Sequence, residues 1–314
     1  MSGVAVQLLV VHRSAWPRVL RGVLLAAASL VLLAYVLGPV FWLVSSSVQT
    51  EREIVSIPPH WIPDNPTLGN FRAIFLTGLG QMPSSLTGQD PSSGGFIPSV
   101  AANLLPAMAN SFIVALSVVV LNMLIGVPAA YAIAKTRFRG RNLTLYTILA
   151  TRVIPDIALV VPFFLMVRRL GMLDSLGTLV VTYLAITVPF SVFVLASFFE
   201  QLPDDLDRAA RVDGCSRTQV LLRIYLPLAR PALVAVGLFA FLASWNEFLL
   251  ALMFTQTSAS QTLPIIVAGI TSDFTVSFSF LNAAGVLAVV PPVLLAVVFE
   301  RYIVSGLAAG AVKG

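Results

Sequence analysis

Two clusters of polar side chains stand inside apolar runs of this chain and are its candidates for chemistry. In TRVIPDIALVVP, Arg152 and Asp156 are four residues apart, a spacing that puts them on one face of a helix. Arg152 lies about 15 Å along a helix counted from Asn142. In SWNEFLLAL, the residues Trp245, Asn246, Glu247 and Phe248 put an amide, a carboxylate and two aromatic rings together. An ionised group in hydrocarbon costs about 2.5 to 3.5 kcal/mol on insertion scales, so each cluster needs a protein partner or a function. For the first cluster two readings stand: a self-neutralising pair that fixes a helix kinked at Pro155 and Pro162, or a contact to a passing solute. The second suits a polyol or sugar, whose hydroxyls bond the amide and carboxylate while aromatic faces cover the apolar side of the ring. Its other reading is packing, with Glu247 paired to a neighbouring helix.

Other chemistries lack their residues. His12 and His60 are the only histidines, too few and too far apart for a histidine metal site or a Ser-His-Asp arrangement. Cys215 is the single cysteine, so no intrachain disulfide exists. No GxxxxGK[ST] loop occurs, so the chain has no P-loop with which to bind ATP. No cofactor, no metal and no enzymatic activity of its own are therefore expected. The net charge of +5 and pI of about 9.8 do not imply nucleic acid, because basic residues gather in short loops without an aromatic platform.

The elements that must hold these clusters are membrane helices. With 58% hydrophobic and 11% charged residues among 314, and a mean hydropathy of +0.93, the chain lies outside the soluble range. Spans of about 20 residues are expected near 20–46, 110–134, 143–167, 177–199, 232–255 and 280–304, giving an all-α integral membrane protein with six transmembrane helices. The first apolar run is too long for a signal peptide and reads as an uncleaved span. His12, Arg13, Arg18 and Arg21 before it, and Lys135, Arg137, Arg139 and Arg141 after the second, place both loops in the cytoplasm. Of the 19 Lys and Arg, this topology leaves Arg52, Arg72, Arg168 and Arg169 outside and Arg152 within a span. Both termini are then cytoplasmic. The expected organisation is a cytoplasmic segment 1–19, a six-span transmembrane domain 20–304 and a tail 305–314, with an external loop at 47–109 and a cytoplasmic loop at 200–231.

That cytoplasmic loop is ordered by its own sequence. Pro203-Asp204-Asp205 starts a helix of about two turns, and Asp213-Gly214 stops it. Ser216 and Gln219 have capping-box spacing for a second helix, with Val220, Ile224 and Leu228 on one face and Leu226-Pro227 and Pro231 limiting it. The alternative is an ordinary solvated loop whose arginines 208, 211, 217, 223 and 230 hold it inside.

Ala209, Ala210, Asp213, Gly214, Ile224, Leu226, Pro227, Leu228 and Pro231 resemble the "EAA" signature of permease subunits of ATP-binding-cassette (ABC) importers. The family's glutamate falls at Arg208, with Asp207 beside it. SWNEFLLAL, TRVIP, PFFLMVRRLGMLDS and NPTLGNFRAIF extend the resemblance to carbohydrate importer permeases over most of residues 30–304. The resemblance implies a type I importer permease whose elbow docks on an ATPase. It also implies a second homologous permease, a dimeric cytoplasmic ATPase carrying ATP and Mg, and an external substrate-binding protein. The rival class is an ion-gradient-driven secondary transporter with Glu247, or Arg152 and Asp156, as proton relay. In the external loop, 80–98 reads as a flexible insertion, while Trp61, Phe71, Ile74 and Phe75 suit an amphipathic piece at the outer interface or contact with an external partner.

Overall fold

Long runs of Leu, Val, Ala and Ile in lipid leave backbone amides no partner but one another, and helices result. The computed structural model describes residues 18–80, 99–136, 138–270 and 277–311, and is helical with no strand among them. The N-terminal segment up to Pro17, residues 81–98 of the expected insertion, Arg137 and Lys313 lie outside the described residues.

In chain order, α1 (Arg18–Ser47) leads through α2 (Glu51–Ile54) and α3 (Gly69–Gly78) to α4 (Leu104–Lys135). A bent pair follows, α5 (Arg141–Ala150) and α6 (Asp156–Arg169), then α7 (Leu176–Gln201). The elbow comprises α8 (Asp205–Val212), α9 (Arg217–Val220), a π-helical turn Leu221–Tyr225 and α10 (Leu226–Leu228). The chain then runs through α11 (Arg230–Trp245), α12 (Leu249–Phe254) and α13 (Leu263–Ile270) to α14 (Phe278–Ala311). Among the described residues four helices are long and apolar enough to cross a membrane, and two bent pairs raise the number to six if each pair is one span.

The expected span 143–167 is not one helix. Ile154, which precedes Pro155, is extended (φ −72°, ψ 121°), because the proline ring disfavours helical backbone in the residue before it. The chain turns by 93° there, so Arg152 and Asp156 do not share a helix face. The expected span 232–255 is likewise broken, between α11 and α12. Pro128 and Pro189, by contrast, stay within α4 and α7.

The scaffold centres on α4 against α7. At Gly126 the two helices lie close, and a Cβ there would make ordinary contact with that of Ser191 at 3.7 Å. Beside it, buried Asn122 Nδ2 donates to Ser191 Oγ at 2.7 Å, and the Ser191 hydroxyl donates to the Thr187 carbonyl at 3.0 Å. Away from the elbow, Glu51 accepts from the Phe278 and Ser279 amides (both 3.0 Å) and so caps α14. The segment expected at the outer interface is divided. Ile74 is fully buried on α3 beneath Phe280 and Leu104, and Phe71 packs there too, whereas Trp61 and Phe75 remain exposed. The reason is the face that α3 turns to the bundle: Asn70, Ala73, Ile74 and Thr77 all lie on it.

Candidate functional site

The elbow follows its sequence closely up to Val220. At the end of α8 the Cys215 amide reaches the Ala210 carbonyl (2.9 Å) and the Gly214 amide that of Arg211 (3.1 Å), the double bond of a Schellman turn. Gly214 takes φ +82°, a conformation a side chain disfavours. Ser216 and Gln219 form the capping box. Beyond Val220 the expected face is corrected. The π turn adds a residue, so Tyr225 and Ala229, rather than Ile224 and Leu228, follow Val220 into the core; Ile224 is half-buried and Leu228 exposed. Leu226 and Pro227 do not end the helix, which stops at Ala229 before an 83° turn into α11.

Aromatic packing fixes the elbow to the bundle. Tyr131, Phe199 and Tyr225 meet edge to face with centroids 5.2 to 6.2 Å apart. Lys135, at the end of α4, donates to the Leu202 carbonyl (2.7 Å) and to Asp204 (2.8 Å), and its charge lies 5.5 Å from the Tyr225 ring centre. Arg141 pairs with Glu200. Asp207 faces inward, 16% exposed, accepting from Tyr131 and held 2.8 Å from Arg211. Arg208 is 73% exposed and touches Asp205 loosely at 3.7 Å. Arg208, Ala209, Asp213 and Gly214 form the elbow's outer surface, while Ala210 is buried behind them.

At the break between α11 and α12 the four residues of the second cluster part company. Trp245, Asn246 and Phe248 line a cavity of about 600 Å³, shared with Val267 of α13 and with Leu281 and Pro292 of α14. Trp245 stacks on Phe241 at 5.5 Å and donates its indole N–H to the Ala288 carbonyl at 3.1 Å. Glu247 instead binds within the protein. It accepts from the Leu250 amide (2.8 Å), the Ala251 amide (3.1 Å) and the Tyr183 hydroxyl (2.6 Å). Arg152 and Asp156 are not paired: Arg152 donates to the Ile186 carbonyl at 3.1 Å, and Asp156 sits exposed in the first turn of α6, where a helix favours negative charge. No group of three His, Cys, Asp or Glu able to hold a metal occurs among the described residues.

Three participants carried no local sequence signal. Tyr183 and Lys135 are ordinary residues near the middle and end of long helices. Asp174 sits in the turn before α7 at φ +60° and accepts from the Gln256 amide (2.8 Å), the Thr257 amide and hydroxyl (3.0 and 2.7 Å) and the Ser260 hydroxyl. The Ser260 hydroxyl first, with those other donors, holds the Asp174 carboxyl well below the usual carboxylate range.

Residues 122–308, which contain the elbow and both helix breaks, match the family of binding-protein-dependent transport system inner membrane components. The chain belongs to that family. The permease is 36% identical over 287 residues to the sulfoquinovosyl glycerol transport system permease protein SmoH of Agrobacterium fabrum, covering 91% of this chain and 92% of that protein. It is 40% identical over 210 residues to the trehalose/maltose transport system permease protein MalG of Thermococcus litoralis, covering 66% and 75%. Its fold is similar to a chain of a bacterial ABC transporter for import of the acidic polysaccharide alginate, with TM-score 0.74, 21% identity and coverage of 93% and 98%. The permease is thus a multi-pass inner-membrane protein of the carbohydrate ABC group with the type I importer fold.

Proposed function

We propose that the permease is one half of the membrane pathway of an ATP-driven importer that carries a sugar or sugar derivative into the cytoplasm by alternating access. The carrying observation is the elbow: two short helices closed by a Schellman turn and a capping box, bolted to α4 and α7 yet presenting Arg208, Ala209, Asp213 and Gly214 outward. A rigid exposed lever at the ends of two core helices suits transmission of movement from a soluble partner. In this reading Asp207, Ala210, Ile224, Leu226 and Pro227 hold the lever, and a dimeric cytoplasmic ATPase with ATP and Mg drives it. A second homologous permease completes the pathway, and an external binding protein delivers the solute. In this reading the elbow and both termini face the cytoplasm, which the distribution of basic residues supports.

Trp245, Asn246 and Phe248 form this chain's part of the sugar path. The exposed Phe248 ring and the Asn246 amide on an apolar wall, backed by the buried Trp245, suit a pyranose. The names of the relatives, trehalose/maltose and sulfoquinovosyl glycerol permeases, support a glycoside cargo. Arg152 and Asp156, exposed at the other break, are carried as further path residues. The test is affinity purification of the tagged chain from its native membrane in mild detergent, with mass spectrometry and an ATPase assay. A second permease and an ATPase in roughly one-to-two proportion, with hydrolysis stimulated by a binding protein, is the expected result. A lone chain or homodimer without hydrolysis would overturn the reading in favour of ion coupling.

A further inference from the structure

Glu247 is the one carboxylate of the second cluster, and the proposed path makes it an obvious candidate to bind a sugar hydroxyl. Its surroundings argue otherwise. The break at Asn246–Phe248 starts a new helix, α12, whose first amides have no partner in the preceding turn. In a soluble protein water would satisfy them; in an apolar wall something else must. Glu247 Oε1 takes the Leu250 amide and Oε2 the Ala251 amide, so one carboxylate closes both. The same Oε2 takes the hydroxyl of Tyr183, a residue of α7 buried against Leu250, Ala251 and Phe254. Three donors converge on two oxygens, and the negative charge sits at the positive end of α12. The side chain next in sequence on either side turns the other way, into the cavity.

From this convergence we propose that Glu247 is a positioning residue: with Tyr183 it forms a latch that keeps α11 and α12 apart and α12 seated on α7, and so presents Trp245, Asn246 and Phe248 to the cavity. The latch itself stands on geometry alone; its consequence for transport rests on the reading above. Hydrogen exchange followed by mass spectrometry on the intact purified complex tests it without knowledge of the cargo. In Glu247→Ala the Leu250 and Ala251 amides should exchange about tenfold faster, as expected for loss of a helix cap. Glu247→Gln, which keeps one acceptor oxygen, should restore part of the protection, and Asn246→Ala, which alters the cavity wall and a bond to the Leu242 carbonyl of α11 but no bond to α12, should leave it unchanged. Should Glu247→Ala fail to assemble, Tyr183→Phe carries the test, with faster exchange confined to α12. Unchanged exchange at Leu250 and Ala251 in the variant that assembles would overturn the latch. In the ATPase assay the latch predicts a fall in maximal binding-protein-stimulated rate in Glu247→Ala with the half-saturating concentration of binding protein unchanged. Failure of the importer reading would appear separately, as a complex without ATPase, and would leave the exchange result standing.

Discussion

The chain leaves regular helix at two places central to its work, and the two are secured differently. At the elbow, every group that ends α8 and starts α9 comes from within ten residues: Ala210, Arg211, Gly214, Cys215, Ser216 and Gln219. At the break after α11, Glu247 closes the Leu250 and Ala251 amides from three and four residues away, but the closing residues are themselves held from far along the chain, with Tyr183 bonded to Glu247 across 64 residues and Ala288 to Trp245 across 43. The elbow meets water and can rely on local polar residues. The break lies in apolar surroundings, where each polar group needs a partner brought by the fold. The lesson is that a junction's setting decides whether local bonds suffice or need tertiary bonds behind them.

The largest expected effect tests the local junction. A Cβ on Gly214 would meet nothing within 4 Å, so the obstacle to substitution is φ +82° alone. Gly214→Val should cost about 2 kcal/mol or more in the elbow turn, because β-branched residues rarely adopt that conformation. Gly214→Asn, whose residue tolerates the left-handed region, should cost far less. In proteoliposomes the valine variant should keep basal ATP hydrolysis and lose at least tenfold of the binding-protein-stimulated rate. Equal behaviour of the two variants would show that the turn's conformation is not what matters.

Next in size is the bolt between elbow and bundle. Lys135→Met removes the donor to the Leu202 carbonyl and the charge beside the Tyr225 ring while keeping most of the apolar stem. We expect a loss of about 1 to 3 kcal/mol, read as a lower melting temperature of the detergent-solubilised complex, together with weaker ATPase stimulation. At the tertiary junction, Trp245→Phe deletes one bond, to Ala288, and keeps a ring to stack on Phe241. It should cost about 1 kcal/mol by the same measurement. If Trp245→Phe proved costlier than Lys135→Met, closure by tertiary bonds would be the more demanding of the two.

The same contrast explains what the sequence allowed to be read. Six apolar runs, the Gly214 stop and the Ser216–Gln219 box depend on spacing, and spacing is visible. The exchange of Ile224 for Tyr225 in the core was not, because a π turn is chosen by packing of Tyr225 against Tyr131 and Phe199. Arg152 and Asp156 have the right interval for a pair, but Pro155 between them redirects the chain, and one proline's effect on a helix is not fixed by type: Pro128 and Pro189 pass without a break. The Trp245–Phe248 cluster was legible as a polar interruption. That Glu247 faces α7 and its neighbours the cavity required the position of Tyr183, which no interval within the cluster contains.

Asp174 offers the finest test, because it closes a tertiary junction like Glu247 but does so in water. It gathers the Gln256 and Thr257 amides and two hydroxyls from more than 80 residues away, and that loop leads from α12 into α13. If the surroundings rather than the number of bonds set the cost, its loss should be small. The sign of its pH dependence follows from the depressed carboxyl: the folded form holds its proton less tightly than the unfolded chain, so the contribution is present above about pH 4 and fades as pH falls through the lowered folded value. Corrected for intrinsic rate, exchange at the Gln256 and Thr257 amides should therefore be flat from pH 7 to pH 5 and rise only in stronger acid. Asp174→Asn should show faster exchange at those amides at all pH values, with no acid step and little change in melting temperature. A change in melting temperature as large as that of Trp245→Phe would break the comparison, since it would make an exposed tertiary clip as costly to lose as a buried one.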